Sequence, residues 1–105
     1  MNIGFAIKTI RTRLAISQLE LAERSGITQT ALSQIETGKK RPAQKTLDSI
    51  CAALDIPQSI IYLVAIEDTD VSPEKKAVYD MLYPSIKTLA LQMVDPAHHS
   101  LMNEK

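Results

Sequence analysis

Gln29, Thr30, Ser33 and Thr37, with Gln34 at their edge, recur at helical spacing and carry amides and hydroxyls but no charge. Groups of this kind on one short helical face can donate to and accept from base edges in a DNA major groove. Gln29 is the best reader of the set, because a Gln amide can pair in bidentate fashion with adenine N6 and N7. Thr28, one residue ahead, has the side chain of a helix cap, so its effect on any ligand is partly indirect. An ordinary solvated polar face is the competing reading of the same residues.

The elements that hold these side chains lie in Ser17–Glu36. Ser17 can cap a helix, and Glu20 stands where a capping-box acid reaches back to the Ser17 backbone N–H. Leu21 and Ala22 then face inward, with Ala22 small where two helices must cross closely. Gly26 ends the segment where a left-handed backbone costs least. A second helix opens at Thr28 and points Leu32 and Ile35 inward. Two short helices joined by a glycine turn make a helix-turn-helix, and DNA binding becomes the leading expectation.

Charge supports it through its distribution. The 105-residue chain has net charge zero, but residues 1–45 carry eight basic side chains against three acidic ones, and residues 46–105 four against nine. A head of +5 and a remainder of −5 suit a basic reading surface joined to a part that avoids phosphate. Cys51 is the only cysteine, so no intrachain disulfide can form, which fits a reducing cytoplasm. It sits between Ile50 and Ala52 and reads as a packing residue. Nothing resembles a phosphate loop, a catalytic triad or a pair of carboxylates in a cleft, so no enzyme and no cofactor are expected. The start of the chain lacks the long apolar run of a signal peptide, and the longest apolar stretch, Ile60–Ile66, is too short to span a bilayer. A cytoplasmic protein with no membrane partner is expected.

Along the chain, Ile3, Ile7, Ile10 and Leu14 mark a first helix capped by Asn2. Gly38 stops the third helix, and Lys39, Lys40, Arg41 and Pro42 form a basic loop. Leu47, Ile50, Cys51 and Leu54 mark a fourth helix ending near Asp55, and Pro57 suits the first turn of a fifth. That fifth helix is apolar all round, so a second subunit or the C-terminal segment must cover one side. Glu67–Asp70 is an acidic linker. Ser72, Pro73 and Glu74 then start a sixth helix whose apolar stripe is Val78, Met81, Leu82, Ile86, Leu89 and Met93. Pro84 interrupts the stripe and predicts either a kink or two helices, 73–83 and 84–94. The expected organisation is a head at 1–66, a linker at 67–71, a helical extension at 72–94 for dimer or partner contact, and a flexible tail at 95–105. His98 and His99 fall in that tail, with nothing beside them to complete a metal site.

Residues 3–63 resemble the lambda-repressor-like, XRE-type helix-turn-helix family of phage and bacterial transcriptional regulators. The resemblance rests on Ile3-Gly4, Arg11, Ser17-Gln18, Leu21-Ala22, Gly26-Ile27, Leu32 to Glu36, Gly38, Pro42, Thr46-Leu47 and Ile50. Ala15 and Asp55 depart from it, each standing where the family commonly has Gly, and Ala43 replaces its usual Ser or Thr cap. The resemblance implies an all-α fold: a compact five-helix DNA-binding domain, here with a C-terminal helical extension. It implies base contacts from Thr28, Gln29, Thr30, Ser33 and Gln34 and a phosphate contact from Gln18. Lys39, Lys40 and Arg41, joined by Arg13, would add salt-dependent affinity along the duplex backbone. It further implies a structural salt bridge between Arg11 and Glu36.

The expected function is a homodimeric, sequence-specific transcriptional regulator, more a repressor than an activator, reading an inverted-repeat operator in double-stranded DNA. Ile60, Ile61 and Val64, with Val78, Met81, Leu82, Ile86 and Leu89, are the expected dimer or partner contacts. An antitoxin-like or controller protein is the second reading, in which the C-terminal helices bind another protein while the head autoregulates its operon.

Overall fold

The computed structural model describes residues 1–94, and among them every regular element is helical. The expected tail at 95–105, with His98 and His99, lies outside the described residues. Six α-helices follow in order: α1 (Ile3–Arg13), α2 (Gln18–Ser25), α3 (Gln29–Glu36), α4 (Gln44–Leu54), α5 (Gln58–Ala65) and α6 (Lys76–Met93). Two 3₁₀ turns, Asp68–Asp70 and Pro73–Lys75, join α5 to α6.

Local chemistry sets most of the boundaries. Asn2, Ser17 and Thr28 cap α1, α2 and α3 by accepting from the N–H groups of Phe5, Glu20 and Ala31, each at 3.0 Å. The reciprocal half of the box at α2 does not form, because the Glu20 carboxylate pairs with Arg24 one turn on. Gly26 and Gly38 end α2 and α3 in the left-handed region, at φ 72° and 82°. Ala15 and Asp55 adopt the same conformation, at φ 58° and 56°, although both carry a Cβ. Ala43 precedes α4 with no side-chain cap bond. Pro57 stands one place earlier than expected, at the N-cap of α5 rather than in its first turn.

The core gathers Ile7, Ile10, Leu21, Leu32, Ile50, Leu54 and Ile61, all fully buried. α1 packs on α3 and α5, α2 on α3 and α4, and α6 on α5. The α1–α3 crossing is closest at Gly4, where an added Cβ would collide with the Ile35 carbonyl oxygen. No side chain larger than a hydrogen fits there.

The chain itself covers helix α5. Ile60, Ile61 and Val64 are buried within the fold, so the expectation that they meet a partner is corrected: α1 and α6 enclose them. α6 closes over α5 with Ala90 and Val94, both buried. It also supplies what the end of α5 lacks. The Tyr83 hydroxyl donates toward the Leu63 and Val64 carbonyls, at 2.7 and 3.0 Å, and the Tyr79 hydroxyl toward Ile66 at 3.4 Å. The two rings stack with centroids 4.9 Å apart. Burial raises the ionisation of both phenols above the ordinary range.

α6 is one helix that runs through Pro84, so of the two forms expected there, a kink or a pair of helices, the pair does not occur. Pro84 has no N–H for the Asp80 carbonyl, a defect that ordinarily breaks a helix. Here docking on α5 through Tyr83, Ala90 and Val94 outweighs it, and Thr88 Oγ1 donates to the Pro84 carbonyl at 2.8 Å. Ser72 contributes no side-chain cap; Pro73 opens the 3₁₀ turn, and α6 begins at Lys76. The acidic segment before it is folded: Glu67 and Asp70 cap each other's backbone and hold the Met1 ammonium at 3.0 and 2.8 Å.

Candidate nucleic-acid interface

α2 and α3 are locked together from within by one buried carboxylate. Glu36, at the end of α3, has a side chain only 2% exposed. Arg11 of α1 grips it from two sides, Nε to Oε2 at 2.7 Å and a terminal guanidinium nitrogen to Oε1 at 3.0 Å. A further Arg11 N–H donates to the Ile16 carbonyl at 2.9 Å, tying in the α1–α2 loop. Gln18, in the first turn of α2, donates its amide to Glu36 Oε1 at 3.1 Å. Its own amide oxygen accepts from Gln29 Nε2 at 3.4 Å. The network therefore runs from α1 through the core to the first residue of α3.

Above this base the face of α3 is polar. Thr28, Gln29 and Thr30 are exposed at its start, and Ser33 and Gln34 are half-buried along it. Thr37 closes the helix, its hydroxyl donating to the Ser33 carbonyl at 2.9 Å. Lys39, Lys40 and Arg41 are exposed just beyond Gly38. The Lys40 N–H donates to the Gln34 carbonyl at 3.0 Å, which holds the basic loop against the end of the same helix. Arg13 lies at the far end of α1 and is exposed. An uncharged donor and acceptor face rimmed by cations can pair with base edges while its rim meets phosphates.

Gln18 gives one N–H of its amide to Glu36, and the second N–H of that NH2 group stands with the backbone N–H groups of the first turn of α2, where a phosphate would be met. Spacing alone did not reveal this bridging role. Gln18 and Glu36 stand 18 positions apart, and no local periodicity links them. The Gly4–Ile35 approach was equally hidden, apart from a glycine inside an otherwise good helix, a residue that usually marks close packing.

Val78, Met81, Leu82, Ile86 and Leu89 lie exposed on the outer side of α6, away from Ile60, Ile61 and Val64. The structure thus separates the two halves of the expected partner set. Cys51 is buried in α4, and desolvation pushes its thiol up to about 11, away from nucleophilic chemistry at neutral pH. Among the described residues no single helix is long and apolar enough to cross a membrane.

Comparison with known proteins centres on the same elements. A family model described as helix-turn-helix matches residues 7–57, from the middle of α1 to the start of α5. An HTH-type transcriptional regulator of Mycobacterium tuberculosis, itself uncharacterised, is 33% identical over 77 residues, covering 71% of this chain and 55% of its own. The immunity repressor of Bacillus phage phi105 is 34% identical over 61 residues, 58% of this chain and 42% of the repressor. From the same phage, the ImmF control region 10 kDa protein is 31% identical over 66 residues, 63% of this chain and 73% of that protein. The chain spans about half the length of the first two of these relatives.

Proposed function

From the membership of this chain in the lambda-repressor-like, XRE-type helix-turn-helix family of transcriptional regulators, we propose that it is a sequence-specific repressor acting as a homodimer on an inverted-repeat operator. The observation that carries the reading is the exposed, uncharged face of α3, held on a buried ion pair and flanked by Lys39, Lys40 and Arg41. Thr28, Gln29, Thr30, Ser33 and Gln34 would meet base edges, with Gln29 first among them. Lys39, Lys40, Arg41, Arg13 and Gln18, with the backbone N–H groups beside it, would meet phosphates. Two copies of α3 would enter successive major grooves about 34–36 Å apart. Occupancy of an operator overlapping a promoter would exclude polymerase.

The phage relatives lend support, one being named an immunity repressor and another a control-region protein. The exposed apolar stripe on α6 supports the dimer, since a monomer gains nothing by presenting Met81 and Leu89 to water. Fluorescence anisotropy with the DNA upstream of its own gene, against unrelated duplex at two salt concentrations, tests the reading. Selective binding that weakens with salt is expected. Equal, weak binding to both duplexes would remove the autoregulating repressor, and no binding to either would remove the DNA function.

A further inference from the structure

A cleft opens where the start of α1, the end of α5 and α6 meet. Tyr79, Tyr83 and Lys87 line it at four-residue steps along α6, and Phe5 joins them from α1. Its volume is about 470 Å³, within the range of small-molecule sites, about 300–1,000 Å³. Glu67, Asp68 and Asp80 also line it, so three carboxylates border the cleft against the one ammonium of Lys87.

Two further cations stand beside these acids without cancelling them. Lys76 is shared by Asp68 and Asp80, at 3.4 and 3.2 Å, and the Met1 ammonium by Glu67 and Asp70, at 3.0 and 2.8 Å. Four carboxylates thus share two cations, and the excess is negative. Tyr79 registers that field: burial first, then Asp68, Asp80 and Asp70, keep its phenol above the ordinary range. α5 ends at the cleft and brings the negative end of its dipole there. Lys87 is the resident cation. It is half-buried, no carboxylate pairs with it among the described residues, and its ammonium lies 5.4 Å from the centre of the exposed Phe5 ring. An ammonium held on a ring face rather than on a carboxylate marks a place that accepts positive charge.

We propose that this cleft binds a small organic monocation, a quaternary ammonium or an amine with an apolar body. The charged nitrogen takes the Phe5 ring face now held by Lys87, within the field of Asp68 and Asp80. The apolar body lies against the stacked Tyr79 and Tyr83 rings. Lys87 has a flexible four-carbon stem and can yield its place by extending into water. An anion would gain Lys87 but meet three carboxylates. The site shares no residue with the polar face of α3 or with the basic loop, so it stands apart from the DNA reading.

Isothermal titration calorimetry of the full chain at fixed ionic strength tests this, with benzyltrimethylammonium as the cation and benzoate as an anion of like shape. The ammonium probe should bind and benzoate should not. Phe5→Leu should weaken the probe about two- to fivefold, the loss of one exposed cation–π contact. Asp80→Asn should weaken it as well. Lys87→Gln decides the sign: it vacates the ring face and should tighten the cation by about the same factor. None of the three side chains belongs to the buried core, so helical circular dichroism should be unchanged in each variant. Benzoate binding that disappears in Lys87→Gln overturns the choice of a cation. Ammonium binding that ignores all three substitutions lies elsewhere and overturns the site, as does no binding of either probe at millimolar concentration.

Discussion

Gln18 donates to Glu36 at 3.1 Å, so the first turn of α2 and the last turn of α3 hold one buried carboxylate between them. Arg11 neutralises the same group from α1. The angle between the two helices of the motif thus depends on a charge that water does not reach. The residues that would touch DNA are the outer layer of this arrangement.

Arg11→Ala should therefore unfold the head more readily without removing a DNA contact. Stranding Glu36 as an unpaired buried charge costs about 3 kcal/mol or more. Denaturant unfolding of the single variant would show the loss. The pair Arg11→Met with Glu36→Leu should recover most of it, since well-packed apolar residues replace buried ion pairs at little cost. If the single variant is as stable as the parent, the ion pair does not hold the head together.

Gln29→Ala and Lys40→Ala should fail in different ways. Loss of the Gln29 amide is expected to cost about 1–3 kcal/mol on the preferred operator and to relax the choice of base at one position. Lys40→Ala, or Arg41→Ala, should weaken binding to all sequences alike and reduce the salt slope by about one. Anisotropy titrations on operator and base-substituted duplexes at several salt concentrations separate these effects. An unchanged base preference in Gln29→Ala would remove this residue from the readout.

Ala15→Gly is expected to stabilise the protein. Ala15 holds φ 58°, a conformation that costs an L residue about 1–2 kcal/mol. Glycine relieves that strain but adds freedom to the unfolded chain, worth about 0.4–1 kcal/mol against it. The net gain should be about 0.5–1 kcal/mol, visible as a rise of a few degrees in Tm. Asp55→Gly should gain less, because Asp tolerates the left-handed region better than Ala.

Stability should fall in alkali. The Cys51 thiol ionises near 11 in the folded chain against an ordinary 9.0, so the unfolded chain loses this proton first as pH rises. Its contribution is complete below pH 9 and disappears as pH climbs through 11. Tyr83 acts in the same direction, its ionisation also being raised by burial. A phenolate there would lose the O–H that meets the Leu63 and Val64 carbonyls. Denaturation midpoints between pH 8 and 11 should decline, and the decline should be shallower in Cys51→Ala. An equal slope in that variant would show that the thiol plays no part.

Local signals were legible before any fold was known. Ser17 and Thr28 cap their helices, Gly26 and Gly38 end them, and Leu21, Leu32 and Ile35 turn inward, because each effect acts within about one helical turn. The polar face of α3 and the basic loop follow from the same register. The Arg11–Glu36 pair came from resemblance, since 25 residues separate the partners and no periodicity joins them.

Other features took form only in the tertiary structure. The apolar surround of α5 announced that something must cover it, but composition suits a second subunit and the C-terminal helix equally. Packing chose the helix: Tyr83 reaches the open carbonyls at the end of α5, and Ala90 and Val94 fill the space beside it. Pro84 left a kink and a break both open for the same reason. Its local penalty is real, and docking of the whole helix outweighs it. The amino-acid order by itself determined the helices and the chemistry of their faces, whose causes lie within a few residues. Which face is buried, and which remains exposed, was decided by contacts between segments far apart in the chain, where many pairings satisfy the same hydrophobic pattern and only three-dimensional packing selects one.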